Sequence, residues 1–146
     1  MKKQISRTLL GLAAALALAV ATNAQVLNTA LIRVPFDFVA GEKQMPAGRY
    51  TVRRIKSDAE SALLIRSEDG RASAVVLTNT GESNPRAAAL VFRRHGDRYF
   101  LAEVSMPGTA SVRELPKAGT ERRLERELVE QKGGESNSVT VVGSVQ

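Results

Sequence analysis

The chain has no cysteine, no tryptophan and a single histidine, and its aromatic residues are limited to four phenylalanines and two tyrosines. Without cysteine, no disulfide can staple the fold, and neither thiolate metal sites nor thiol nucleophiles are available. One imidazole, that of His95, cannot assemble a transition-metal site alone, and it is the one candidate base for a serine nucleophile. Without tryptophan the large flat platform that often carries a sugar is missing, and the remaining rings fall at strand positions where core packing is their ordinary use. No glycine-rich phosphate loop occurs, and Glu68-Asp69-Gly70 is not followed by the regularly spaced oxygen ligands of a calcium loop.

Long apolar runs are also scarce. The one that exists lies near the start, where "MKKQISRTLLGLAAALALAVATNAQ" sets Lys2, Lys3 and Arg7 ahead of an apolar stretch from Leu9 to Ala21, followed by small residues. That is the layout of a secretory signal, and the run falls short of the roughly 20 apolar residues of a spanning helix. Residues 1–24 are therefore expected to be a signal peptide, cut after Ala24, with Ala21 as the alternative. The product is expected in the periplasm or outside the cell, with no transmembrane anchor after cleavage. Loss of those three basic residues takes the formal net charge from +6 to +3, so much of the basicity belongs to the leader. A cysteine-free chain must rely on its core, and the remainder is long enough to bury one.

In "ALIRVPFDFVAG", Ile32, Val34, Phe36 and Phe38 alternate with Arg33, Pro35 and Asp37, the period of a half-buried strand. Pro35 has no amide proton, which predicts an edge strand or a bulge, and Asp37 is expected on a solvated face. "GEKQMPAG" reads as a turn-bearing loop and "RYTVRRI" as the returning strand of a long hairpin. "SALLIRSEDGRASAVVLTN" predicts a hairpin with Asp69-Gly70 as type I′ corners, pairing Glu68 with Arg71, Ile65 with Ala74 and Leu63 with Val76. "AALVFRRHGDRYFLAEV" predicts a second, with His95-Gly96 as corners and Phe92 opposite Tyr99. That register sets Arg93 against Arg98, a conflict that a Gly96-Asp97 loop would avoid. After a Pro107-Gly108 turn, a short strand runs from Ala110 to Leu115.

About seven short strands at hairpin spacing, with no helix between them, predict an all-β fold: a small antiparallel β-sandwich or barrel over residues 25–116. A C-terminal helix is expected over 117–132, with Thr120 as N-cap and Leu124, Leu128 and Val129 as its apolar stripe. Residues 133–146 read either as a flexible tail or as an added strand.

Taken together, "VPFDFVAGEKQMPAGRYTV", "LVFRRHGDRYFLAEV" and "RELPKAGTERRLE" resemble a group of short exported bacterial proteins that has no established activity. The resemblance spans roughly residues 1–130. It implies export and a β-rich domain, and it carries over no catalytic or binding residue and no cofactor.

The chemistry on offer is thin. His95 is expected in a turn flanked by arginines, and Asp37, Glu42 and Glu103 are the carboxylates from which a hydrolytic pair could be drawn. Arg53, Arg54, Arg93, Arg94 and Arg98 lie near strand ends, and guanidinium forks suit phosphate and carboxylate groups, so an anionic envelope component is the candidate partner. Nucleic acid is not expected, since no aromatic stacking array accompanies the charges. The expected function is a non-enzymatic exported β domain with a structural or interaction role in the cell envelope, without metal or cofactor. The alternative is a small envelope hydrolase using surface carboxylates, which would need a pocket with convergent acidic groups.

Overall fold

A computed structural model describes residues 29–55, 61–82, 87–106, 111–132 and 136–145. The expected signal peptide, its cleavage site and the Pro107-Gly108 turn lie outside the described residues.

The fold is all-β with one helix near the C-terminus. Its strands are β1 (Thr29–Val34), β2 (Phe38–Ala40), β3 (Lys43–Met45), β4 (Gly48–Arg54), β5 (Ala62–Ser67) and β6 (Ser73–Leu77), then β7 (Asn79–Gly81), β8 (Ala89–His95), β9 (Arg98–Ser105) and β10 (Val112–Glu114). Helix α1 (Gly119–Lys132) follows, and then β11 (Ser136–Val142) and β12 (Ser144–Val145). One sheet has the order β12-β1-β4-β5-β6 and the other β11-β8-β9-β10-β7, with the β2–β3 hairpin joined to β9.

The two sheets are linked at both sides by strands that change sheet. β6 continues through Thr78 into β7, and the Thr78 amide and hydroxyl both donate to the Ser61 carbonyl at that corner. β11 continues through Gly143 into β12. A Cβ at Gly143 would lie 2.2 Å from Ile32 Cγ1 and 2.7 Å from the Leu31 carbonyl oxygen, so the corner accepts only glycine. Hydrogen-bonded neighbours therefore run in a ring, a flattened barrel whose corners are bent strands. The "VTVVGSV" segment is thus a strand that bridges the sheets.

The stretch from Val34 to Val52 supplies the aromatic centre. Phe38 meets Tyr50 and Phe92 edge-on, each at 5.2 Å between centroids, while Phe36 stacks on Tyr99 at 3.9 Å. Ile32, Val52, Leu63, Ile65 and Leu90 fill the space around them. The expected continuous strand breaks at Pro35: β1 ends at Val34, and residues 35–37 carry the chain to the other sheet, where β2 lies parallel to β9. β1 is not an edge, since it lies between β12 and β4. β1 and β4 pair directly, Ile32 opposite Tyr50, and part of the expected loop is β3. Asp37, expected to be merely solvated, accepts the Ala47 amide at 2.7 Å and holds the turn into β4.

The β5–β6 hairpin has the expected register, Leu63 opposite Val76 and Ile65 opposite Ala74. Its turn closes earlier than a type I′ corner would: the Gly70 amide donates to the Ser67 carbonyl, and Gly70 has a φ of 72°. The β8–β9 hairpin turns at Gly96-Asp97, with His95 opposite Arg98 and Arg93 opposite Phe100. This removes the Arg93–Arg98 conflict, and a bulge at Ala102 absorbs the shift, since Val91 faces Glu103 while Phe92 faces Leu101. His95 is therefore a strand residue.

Thr120 is not the N-cap of α1. The Ala118 carbonyl accepts the Arg122 amide, Thr120 already sits in the helix, and the orphan Gly119 amide donates to Glu42 Oε1 at 2.6 Å. Of the expected apolar stripe, Leu124 and Leu128 are half-buried and Val129 is exposed.

Candidate functional site

Arg93 and His95 are two residues apart on β8 and share one face of it. Phe92 and Arg94 take the other face, Phe92 among the core rings and Arg94 over Tyr99. On α1, Glu121 and Glu125 are four apart and share a helix face. The stripe that α1 sets on the sheet is Glu121, Leu124, Glu125 and Leu128, in which Glu121 is fully buried and the others are half-buried.

These two faces meet in a charge cluster. Arg93 forks onto Glu121, Nε to Oε1 at 2.6 Å and Nη2 to Oε2 at 2.9 Å. His95 Nε2 lies 3.0 Å from Glu121 Oε1 and 3.5 Å from Glu125 Oε1. Lys117 Nζ reaches Glu125 Oε1 at 2.6 Å. His95 is only 4% exposed, and its ring stands edge-on to Phe100 at 5.7 Å. Burial alone would push the Glu121 carboxyl up. Hydrogen bonds from Arg93 and His95, together with their charge, outweigh that and hold it below the usual glutamate range.

His95 Nε2 and one carboxylate oxygen each from Glu121 and Glu125 lie within 4.8 Å of one another, close enough to share a cation. Charge balance argues for a different use. The two carboxylates are already matched by Arg93 and Lys117, before any charge on His95 is counted. A dication would add two uncompensated charges in a poorly solvated site. The arrangement is that of a satisfied ion-pair network fastening α1 to the barrel.

The arginines singled out in the sequence divide between the two sheets. Arg53 and Arg54 end β4, Arg53 exposed and Arg54 half-buried. Arg94 and Arg98 flank the β8–β9 turn, Arg94 donating to the Gly96 carbonyl at 2.7 Å and Arg98 lying over the Phe100 ring at 5.5 Å. Arg93 is 22% exposed and its guanidinium is taken by Glu121.

Two of the three expected carboxylates hold backbone amides, and the third lies opposite another carboxylate. Asp37 holds Ala47, Glu42 caps α1, and Glu103 faces Glu114 across β9 and β10. Burial, and then the Glu114 charge, raise the Glu103 carboxyl. The sequence reading gave Glu121 no site role; the available signal was a glutamate pair at helical spacing, Glu121 and Glu125, in the stripe that has to face the sheet.

Among the described residues no helix is long and apolar enough to cross a membrane. No family model, curated protein or solved structure matches this chain.

Proposed function

We propose that the protein is an exported, non-enzymatic β domain with a structural or interaction role in the cell envelope. The observation that carries this reading is that the one buried histidine–carboxylate cluster is occupied in fastening α1, with Arg93 and Lys117 balancing its two carboxylates. Asp37 and Glu42 point the same way, since Asp37 holds the Ala47 amide and Glu42 the Gly119 amide. Anionic envelope material remains the proposed partner class for Arg53, Arg54, Arg94 and Arg98, whereas Arg93 serves the helix.

Fractionation of an expressing bacterium tests both halves. The chain is expected outside the cytoplasm with its N-terminus at Gln25, and retained on envelope material in a way that salt weakens, since the Debye length is about 8 Å at physiological ionic strength. Replacing Arg53, Arg54, Arg94 and Arg98 by glutamine should reduce retention more than replacing Arg123 and Arg126 on the helix. A cytoplasmic chain starting at Met1 refutes export, and equal loss in both variants refutes a specific basic surface.

A further inference from the structure

The barrel wall has an open seam. β10 pairs with β7, Val112 opposite Gly81 through Glu114 opposite Asn79, and the same register continued would bring residues 116–118 alongside β6. It stops because Pro116 has no amide proton to give, and the chain turns away into α1. Between β6 and residues 115–118 a groove of about 670 Å³ remains, walled at one end by the β2–β3 turn.

The β6 backbone along this groove has a definite polarity. Ser67 and Thr78 donate across the hairpin to Ala72 and Ser61, so the residues that bond β5 alternate through Ala72, Ala74, Val76 and Thr78. Ser73, Val75 and Leu77 therefore turn their amides and carbonyls toward the seam, and β6 has no ladder partner there among the described residues. The side chains of the same strand are unusual for an edge: Val75 is 62% exposed and Leu77 67% exposed, and the strand carries no charge. Of the charged groups lining the groove, Glu42 is used by Gly119 and Lys117 by Glu125, while Lys43 has no ion pair among the described residues.

We propose that this seam receives an extended peptide strand from a partner protein. The peptide pairs with the free edge of β6, sets apolar side chains beside Val75 and Leu77, and places an acidic side chain against Lys43. The main-chain bonds supply affinity and the exposed pair with the lysine supplies preference. A single strand fits where a folded copy does not, because an edge strand from a second copy arrives with its own sheet attached and the groove has walls on both sides. This deepens the interaction role proposed above, and its test uses purified protein, so it is decided separately from export and from envelope retention.

The probe is a fluorescein-labelled nine-residue peptide of alternating valine and threonine with one terminal glutamate, titrated into the full chain and followed by anisotropy. Saturable binding is expected. It should be lost when alternate peptide amides are N-methylated, which removes the ladder donors without changing the side chains. Val75→Pro removes an amide that faces the seam and not β5, so the fold is retained while affinity falls by about tenfold or more. Lys43→Glu should weaken the probe severalfold, and a probe carrying lysine in place of glutamate should reverse that preference. Failure of the probe to bind, or equal binding by the N-methylated peptide, overturns the proposal. So does concentration-dependent dimerisation that the probe does not displace, which would assign the seam to a second copy.

Discussion

The two faces of the β8–β9 pair are held by different physics. On the inner face, the buried Phe92 meets the buried Phe38 and the partly buried Phe36 edge-on, with Leu90, Leu101 and Val104 in the same core. On the outer face, Arg93 and His95 reach α1 through Glu121, the only fully buried side chain on the described part of the helix. The inner face gains from removing apolar area from water and tolerates small shifts in angle. The outer face gains from a fork whose geometry has to be right, because a buried carboxylate without partners is costly. One face makes the barrel, and the other fixes where the helix sits on it.

The largest expected effect comes from breaking the inner face. Phe92→Ala removes a fully buried ring that Phe36 and Phe38 both meet edge-on and should cost about 3–5 kcal/mol in urea unfolding. Breaking the outer face should cost less. Glu121→Gln keeps the shape but leaves Arg93 and His95 without their anion, for roughly 1–3 kcal/mol; the partly hydrated Arg93 keeps this below the loss for a fully buried pair.

Acid should act on the outer face through the same carboxylate. Glu121 is held below the usual range in the folded state, so its contribution to stability is fully present above the unfolded glutamate value, about 4.3, and is lost as pH falls through the folded value. The parent should therefore lose more stability than Glu121→Gln between about pH 4.3 and the folded value, measured by urea midpoints at each pH. Parallel curves would show that Glu121 titrates alike in both states.

The smallest effect sharpens the comparison from the other side. Because the cluster is charge-balanced, millimolar Zn²⁺ should leave the melting temperature of the parent unchanged. A rise that His95→Ala abolishes would make the cluster a cation site, since ligand binding to the folded state raises stability by mass action.

The same contrast decides what the sequence could reveal. Alternation in residues 30–34 specified a buried face, and Gly70 marked a hairpin, because these signals are local and period 2 is a property of the strand itself. The β8–β9 register was half legible: the Arg93–Arg98 conflict pointed to a Gly96-Asp97 turn, while the bulge at Ala102 has no local signature. Gly143 lay in a segment read either as a flexible tail or as an added strand, and only its approach to Ile32 explains it. The charge cluster was the least legible, because Arg93 and Glu121 are 28 residues apart and nothing in either segment names the other. His95 flanked by arginines and glycine had the composition of a turn, so a lone histidine was read from its neighbours in sequence and not from its neighbour in space.

The most direct test of the outer-face lock is a double-mutant cycle on stability, using Arg93→Met, which keeps most of the aliphatic stem, and Glu121→Gln, singly and together. A coupling of about 1 kcal/mol or more is expected, with the double variant losing much less than the sum of the single losses. Additivity within about 0.3–0.5 kcal/mol would contradict it, and would mean that α1 rests on the barrel without the fork that Arg93 makes to Glu121.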